Sequence, residues 1–137
     1  MALKLRAHGS LAPESVLASA GNGNMYIGNV FFNQNCIVIS RGRTEINDGC
    51  LFGPNCMVYD HDHEYNSTDG VDARNYSTGS VIIEKNCWIG GGTIILKNTH
   101  IGEGTVIGAG CVVKGEIPAH SLVTADRTLR IREINDK

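Results

Sequence analysis

From Ile83 onward the sequence falls into sixes: IEKNCW, IGGGTI, ILKNTH, IGEGTV, IGAGCV and VKGEIP. A large aliphatic residue opens each one, at Ile83, Ile89, Ile95, Ile101, Ile107 and Val113. The fifth place is mostly small: Cys87, Thr93, Thr99, Thr105, Cys111, then Ile117. This period is neither the alternation of a half-buried strand nor the 3.6-residue turn of a helix. It suits a parallel β-helix with three short faces per coil. Each hexad makes one face and one corner, the first residue fills the interior, and Gly or Asn supplies the corner dihedrals.

The same grammar runs earlier, at Phe32 to Cys36, Ile46 to Cys50 and Phe52 to Cys56, with a longer step of eight residues from Val38 to Ile46. The expected fold is therefore all-β, a triangular prism of stacked coils over residues 25–59 and 81–118. Stacking at the strand spacing gives about four coils and a height of roughly 19 Å. Residues 1–24 read as a lead-in, with a strand over Leu3 to Arg6 and a short helix over Pro13 to Ala20. Residues 119–137 read as a short C-terminal extension, and the whole chain as one domain.

Composition agrees. Glycine is abundant at 17 residues and aromatics are only 6%, which disfavours a helix bundle. The net charge of -2 argues against a nucleic-acid binder, which would carry a basic stripe. No apolar run is long enough for a membrane span, and the first ten residues lack a signal-peptide core, so the expected compartment is the cytoplasm. Cys36, Cys50, Cys56, Cys87 and Cys111 all take the fifth place of a hexad. They read as small buried hydrophobes rather than disulfides or zinc ligands. Gly102-x-Gly104 and Gly108-x-Gly110 sit in hexapeptide register without a strand–turn–helix context, so they do not read as a nucleotide loop.

The repeat stops at residues 60–80, a polar, turn-rich segment thrown out of the prism. It carries His61 and His63 beside Asp60, Asp62 and Glu64. A histidine among carboxylates keeps a basic, oriented imidazole suited to general-base work. His-x-His with nearby acids also suits a divalent metal, and a solvated acidic loop is the plain alternative.

These residues resemble a known family. Gly53-Pro54-Asn55 running to His63, Asn86-Cys87-Trp88-Ile89-Gly90-Gly91, Ile107-Gly108-Ala109-Gly110, Ile117-Pro118 and Ile131-Arg132-Glu133-Ile134-Asn135 are similar to motifs of the hexapeptide-repeat acyltransferases. Within that superfamily the likeness is to the maltose, galactoside and capsular-sugar O-acetyltransferases, and it spans Tyr26 to Asp136. The resemblance implies a left-handed parallel β-helix and a homotrimer with active sites between prisms. It implies acetyl-CoA as co-substrate along the intervening groove, a sugar or sugar-like acceptor, and no metal. It places the catalytic base on His63, acceptor contacts on Asn33, Tyr59 and His61, and coenzyme contacts on Trp88, Gly91, Ala109, Lys114 and Arg132. A backbone N–H near Gly91 is the expected oxyanion donor. The chain departs from the sugar enzymes at Ser40-Arg41, where they carry an acid pair, at Lys114-Gly115, and at Ala125-Asp126-Arg127. Two other readings use the same prism: a γ-carbonic-anhydrase-like metal enzyme, which needs three converging histidines, and a catalytically silent structural β-helix.

Overall fold

The computed structural model of the protein describes residues 2–5 and 10–133. Each coil contributes one short strand to each of three faces. The first coil is β1 (Ala2–Leu5), β2 (Ser10–Leu11) and β3 (Val16–Ser19). The second is β4 (Asn24–Ile27), β5 (Phe31–Phe32) and β6 (Ile37–Ser40). The third is β7 (Arg43–Ile46), β8 (Leu51–Phe52) and β9 (Met57–Tyr59). The chain then leaves the prism as β10 (His61–Asn66) and β11 (Gly70–Thr78). It re-enters through β12 (Ser80–Ile83) and β13 (Trp88–Ile89), followed by β14 (Ile94–Ile101), β15 (Val106–Ile107), β16 (Val112–Ile117) and β17 (Leu122–Val123). β14 and β16 each run through a corner and so serve two faces.

Every pairing in the prism is parallel. The in-register stacking puts the opening residues of the hexads in columns. Ile27, Ile46, Ile83 and Ile101 lie above one another on the first face, and Phe32, Phe52, Ile89 and Ile107 on the second. All of these are buried, and the Phe32 and Phe52 rings stack with centroids 4.8 Å apart. The fifth-place residues form inner columns beside them, and all five cysteines are buried there as free thiols. Corner residues at one edge take left-handed dihedrals at Asn35, Asn55, Gly92 and Gly110, which only Asn and Gly adopt readily. Asn35 Nδ2 donates to Asn55 Oδ1 at 2.8 Å, so the corner itself is laddered.

The structure corrects the expected boundaries. The segment before residue 25 is not a lead-in with a helix over Pro13 to Ala20. It is a full coil, with β1, β2 and β3 pairing in parallel with β4, β5 and β6. Leu5, Leu11 and Leu17 already stand six apart, but the fourth places between them hold His8 and Glu14 rather than the usual Gly or Asn. Pairing onto the coil above overrides the weak local preference. Arg6, the last residue of the expected first strand, lies outside the described residues. At the other end β17 carries the coils on to Val123. The prism therefore has six levels on two faces rather than four coils, and stands about 24 Å tall. The extruded segment is an ordered antiparallel hairpin rather than an irregular loop.

Candidate functional site

The hairpin leaves the third face after Tyr59 and is closed at its root by the Gly79 N–H donating to the Asp60 carbonyl at 2.8 Å. Side chains alternate along the departing strand. Tyr59, His61, His63 and Tyr65 line one cleft of about 630 Å³, with Asp62 also at its wall, and Asp60 is fully buried. Its carboxylate accepts from Ser40 Oγ at 2.5 Å, the Arg41 N–H at 2.8 Å, Thr44 Oγ1 at 2.9 Å and His61 Nδ1 at 3.0 Å. Burial alone would raise its pKa. The Arg41 N–H, the Ser40 hydroxyl and His61 outweigh burial and hold the carboxyl below the usual range. Ser40 and Arg41, the positions that depart from the sugar enzymes, are thus the floor on which this buried acid rests.

Both imidazoles are held through Nδ1. His61 meets the Asp60 carboxylate, and His63 meets the Asp72 carbonyl at 3.3 Å. Each partner is acceptor-only, so Nδ1 carries the proton and Nε2 is the basic atom in both rings. His61 is the more enclosed, with 12% of its side chain exposed, whereas His63 is exposed on the hairpin. Tyr76, the cross-strand partner of His63, packs against both: its ring centroid is 4.6 Å from His63 and 5.5 Å from His61. Arg41 lies over the same tyrosine at 3.8 Å. Lys97 Nζ, from the next corner of the prism, reaches Ser77 Oγ at 2.8 Å and Asp62 at 3.0 Å, tying both hairpin strands down.

The residues expected to meet acceptor and coenzyme are spread over the prism. Tyr59, His61 and His63 share the hairpin cleft. Asn33 stands at the next edge, where its Oδ1 accepts the Gln34 N–H. Gly91 and Ala109 follow on that same edge, where Gly91 faces the Pro54 ring and its carbonyl accepts the Gly110 N–H. Trp88 projects outward from the adjoining second face, 55% exposed. Lys114 lies in the corner of β16, on the hairpin edge. Arg132 is exposed in the irregular segment after β17, while Arg127 donates to the Gly110 carbonyl and pins that segment to the Gly91 edge. Ile134 and Asn135, the end of the expected C-terminal motif, lie outside the described residues.

The remaining described histidines do not join the pair. His100 bridges Glu84 and Glu116 on the first face, and His120 forms a left-handed corner. Among the described residues, no group of three or more His, Cys, Asp or Glu side chains is arranged to hold a metal ion.

Residues 80–115 match the model of the bacterial transferase hexapeptide, six repeats. This stretch is built on the transferase hexapeptide repeat. This hexapeptide-repeat prism is 34% identical over 120 residues to a candidate acetyltransferase of Schizosaccharomyces pombe, covering 83% of this chain and 55% of that protein. The chain thus spans about half the length of the curated relative it matches. A maltose O-acetyltransferase of Clostridium difficile 630 is 30% identical, with a TM-score of 0.62 over 83% of this chain and 63% of that one. A hexapeptide-repeat acetyltransferase of Vibrio cholerae, solved with acetyl coenzyme A, shares the fold at 24% identity and a TM-score of 0.71. That match covers 89% of this chain and 63% of the other. The shared fold is the left-handed parallel β-helix.

Proposed function

We propose that the protein is an acetyl-CoA-dependent acyltransferase that acetylates a hydroxyl of a sugar or sugar-like acceptor, with His63 as general base. The observation that carries this reading is His63 itself. Its Nδ1 is engaged by the Asp72 carbonyl, which leaves a basic Nε2 on an exposed ring beside a cleft large enough for a sugar. The acceptor O–H proton passes to Nε2. The oxygen forms the new C–O bond, the thioester C–S bond breaks, and the thiolate leaves and is protonated. A thiolate is a good leaving group, so no covalent enzyme intermediate is needed, and all five cysteines are buried.

Among the described residues the Gly91 N–H donates to no protein acceptor, which suits it to an oxyanion donor. Gly91 and His63 lie on different edges of one prism. The reading therefore includes a homotrimer in which the hairpin of one copy reaches the Gly91 edge of the next. Trp88, Gly91 and Ala109 then border the coenzyme from one side, and Lys114 and Arg132 supply charge for its phosphates. The decisive test is a thiol-release assay with acetyl-CoA across sugars, sugar phosphates and amines, run on wild type and His63→Ala. Turnover should fall by about a hundredfold with coenzyme affinity kept. A smaller loss in His63→Ala than in His61→Ala would reassign the base.

A further inference from the structure

The β10–β11 hairpin is interrupted on one strand only. His63 pairs with Tyr76, but the next residue, Glu64, pairs with Asp72, so residues 73–75 bulge out of β11. Asp72 builds this bulge: its Oδ1 accepts the N–H groups of Arg74 at 2.9 Å and Asn75 at 3.3 Å, and its Oδ2 accepts Asn75 Nδ2 at 2.8 Å. Bulges next to functional sites re-aim side chains. Here the bulge brings Arg74 to a second cleft of about 240 Å³, which Arg41 also lines. Asn22, Asn75, Thr78 and Tyr76 also line it, with Ala20 and Gly21, and no carboxylate does. Among the described residues neither arginine makes an ion pair. Arg41 instead lies over the Tyr76 ring.

Two unneutralised guanidiniums facing one small cleft, with amide and hydroxyl donors between them, match a phosphate or diphosphate. The cleft is too small for a whole coenzyme. It is separated from the histidines by one aromatic ring, since Arg41 lies 3.8 Å and His63 4.6 Å from the same Tyr76 centroid. That spacing suits a molecule with a phosphate on one side of Tyr76 and a hydroxyl on the other. We infer that the acceptor is a phosphate ester of a sugar, and that Arg41 and Arg74 determine specificity by binding its phosphate. This rests on the acyl-transfer reading for the hydroxyl end, but the phosphate end can be tested without it.

The binding arm uses inorganic pyrophosphate and uridine diphosphate in calorimetry, with no acyl donor present. Pyrophosphate should bind wild type with an affinity that falls as salt rises. Arg74→Gln, an exposed and structurally mild change, should weaken it by at least about tenfold, and so should Arg41→Gln. Asp72→Ala should weaken it too, because the bulge loses the acceptor that shapes it. The kinetic arm compares a hexose phosphate, a sugar nucleotide and neutral maltose. KM for the phosphorylated acceptors should rise in the arginine variants while KM for acetyl-CoA stays put. Tighter binding of uridine diphosphate than of pyrophosphate would specify a sugar nucleotide, and equal binding a simple sugar phosphate. Pyrophosphate binding that is absent, or unchanged in both arginine variants, overturns the inference. So does a rise in KM for acetyl-CoA alone, or neutral maltose turning over as well as the phosphorylated sugars. Pyrophosphate binding as expected without thiol release on any acceptor would instead overturn the acyl-transfer reading and leave the anion site standing.

Discussion

The fully buried carboxylate of Asp60 and Nδ1 of the adjacent His61 are 3.0 Å apart, although their side chains leave the strand on opposite sides. Asp60 thereby joins the hairpin to the prism, because its other partners, Ser40, Arg41 and Thr44, belong to the coils beneath. The same carboxylate fixes the tautomer of one imidazole in the cleft. The fold and the shape of the cleft meet at this acid.

Asp60→Asn should therefore lower stability. An amide offers one acceptor oxygen where the carboxylate offers two, so a buried donor is left unmatched, at about 1–3 kcal/mol. The folded-state pKa of Asp60 is depressed, so its contribution is complete above the ordinary aspartate value and is lost as pH falls through the folded value. The gap in thermal midpoint between wild type and Asp60→Asn should be full at neutral pH and close in acid below about pH 4. A gap that persists unchanged into acid would show that the charge is not what stabilises.

His100 gives the opposite sign. Glu84 chiefly, with Glu116, raises its pKa above the usual histidine value. Its contribution is present below the unfolded pKa and disappears as pH rises through the folded one. Side-chain exposure of 40% keeps it small, under about 1 kcal/mol, and sensitive to salt. His100→Gln should match wild type in alkaline melts and fall slightly below it in mildly acidic, low-salt ones. A deficit at alkaline pH alone would contradict the ion-pair account.

Thiol labelling reports the register of the repeat. Cys36 stacks on Cys56, and Cys50 on Cys87, each thiol donating to a backbone carbonyl. Cys56 and Cys50 are pushed up by their partner sulfur and by burial, while Cys36 and Cys87 are lowered to about 7 by the partner's hydrogen bond. Burial decides accessibility, so a bulky maleimide should react slowly with native protein and with all five cysteines after unfolding. Fast native labelling of Cys36 or Cys87 would mean that the coils open locally.

The second face presents Phe31, Leu51, Trp88 and Leu122 outward in one column, each at least 40% exposed. An apolar ladder of this kind marks an interaction surface. Light scattering should give three times the 14.7 kDa chain mass for wild type and a smaller species for Leu51→Glu. Monomeric wild type at micromolar concentration would remove the shared site.

Much of this molecule is written locally. A hexad repeated in sequence is a coil repeated in space, and each coil stacks on a near copy of itself. The hexads of Phe32 to Cys56 and of Ile83 to Val113 therefore specified the interior columns, the cysteine burial and the place where the chain leaves the prism. The first coil was harder to see because Leu5, Leu11 and Leu17 keep the spacing without the Gly and Asn corners. The site was decided by contacts between residues far apart in sequence. Ser40 and Thr44 lie 20 and 16 residues from Asp60, and Lys97 lies 20 from Ser77. Which side of the strand faces in at Asp60, and which residues of β11 bulge out to carry Arg74, depends on where the hairpin departs and on what lies beneath it. A repeat fixes the scaffold because its contacts recur. The departure from the repeat happens once, so only the folded chain could place its side chains.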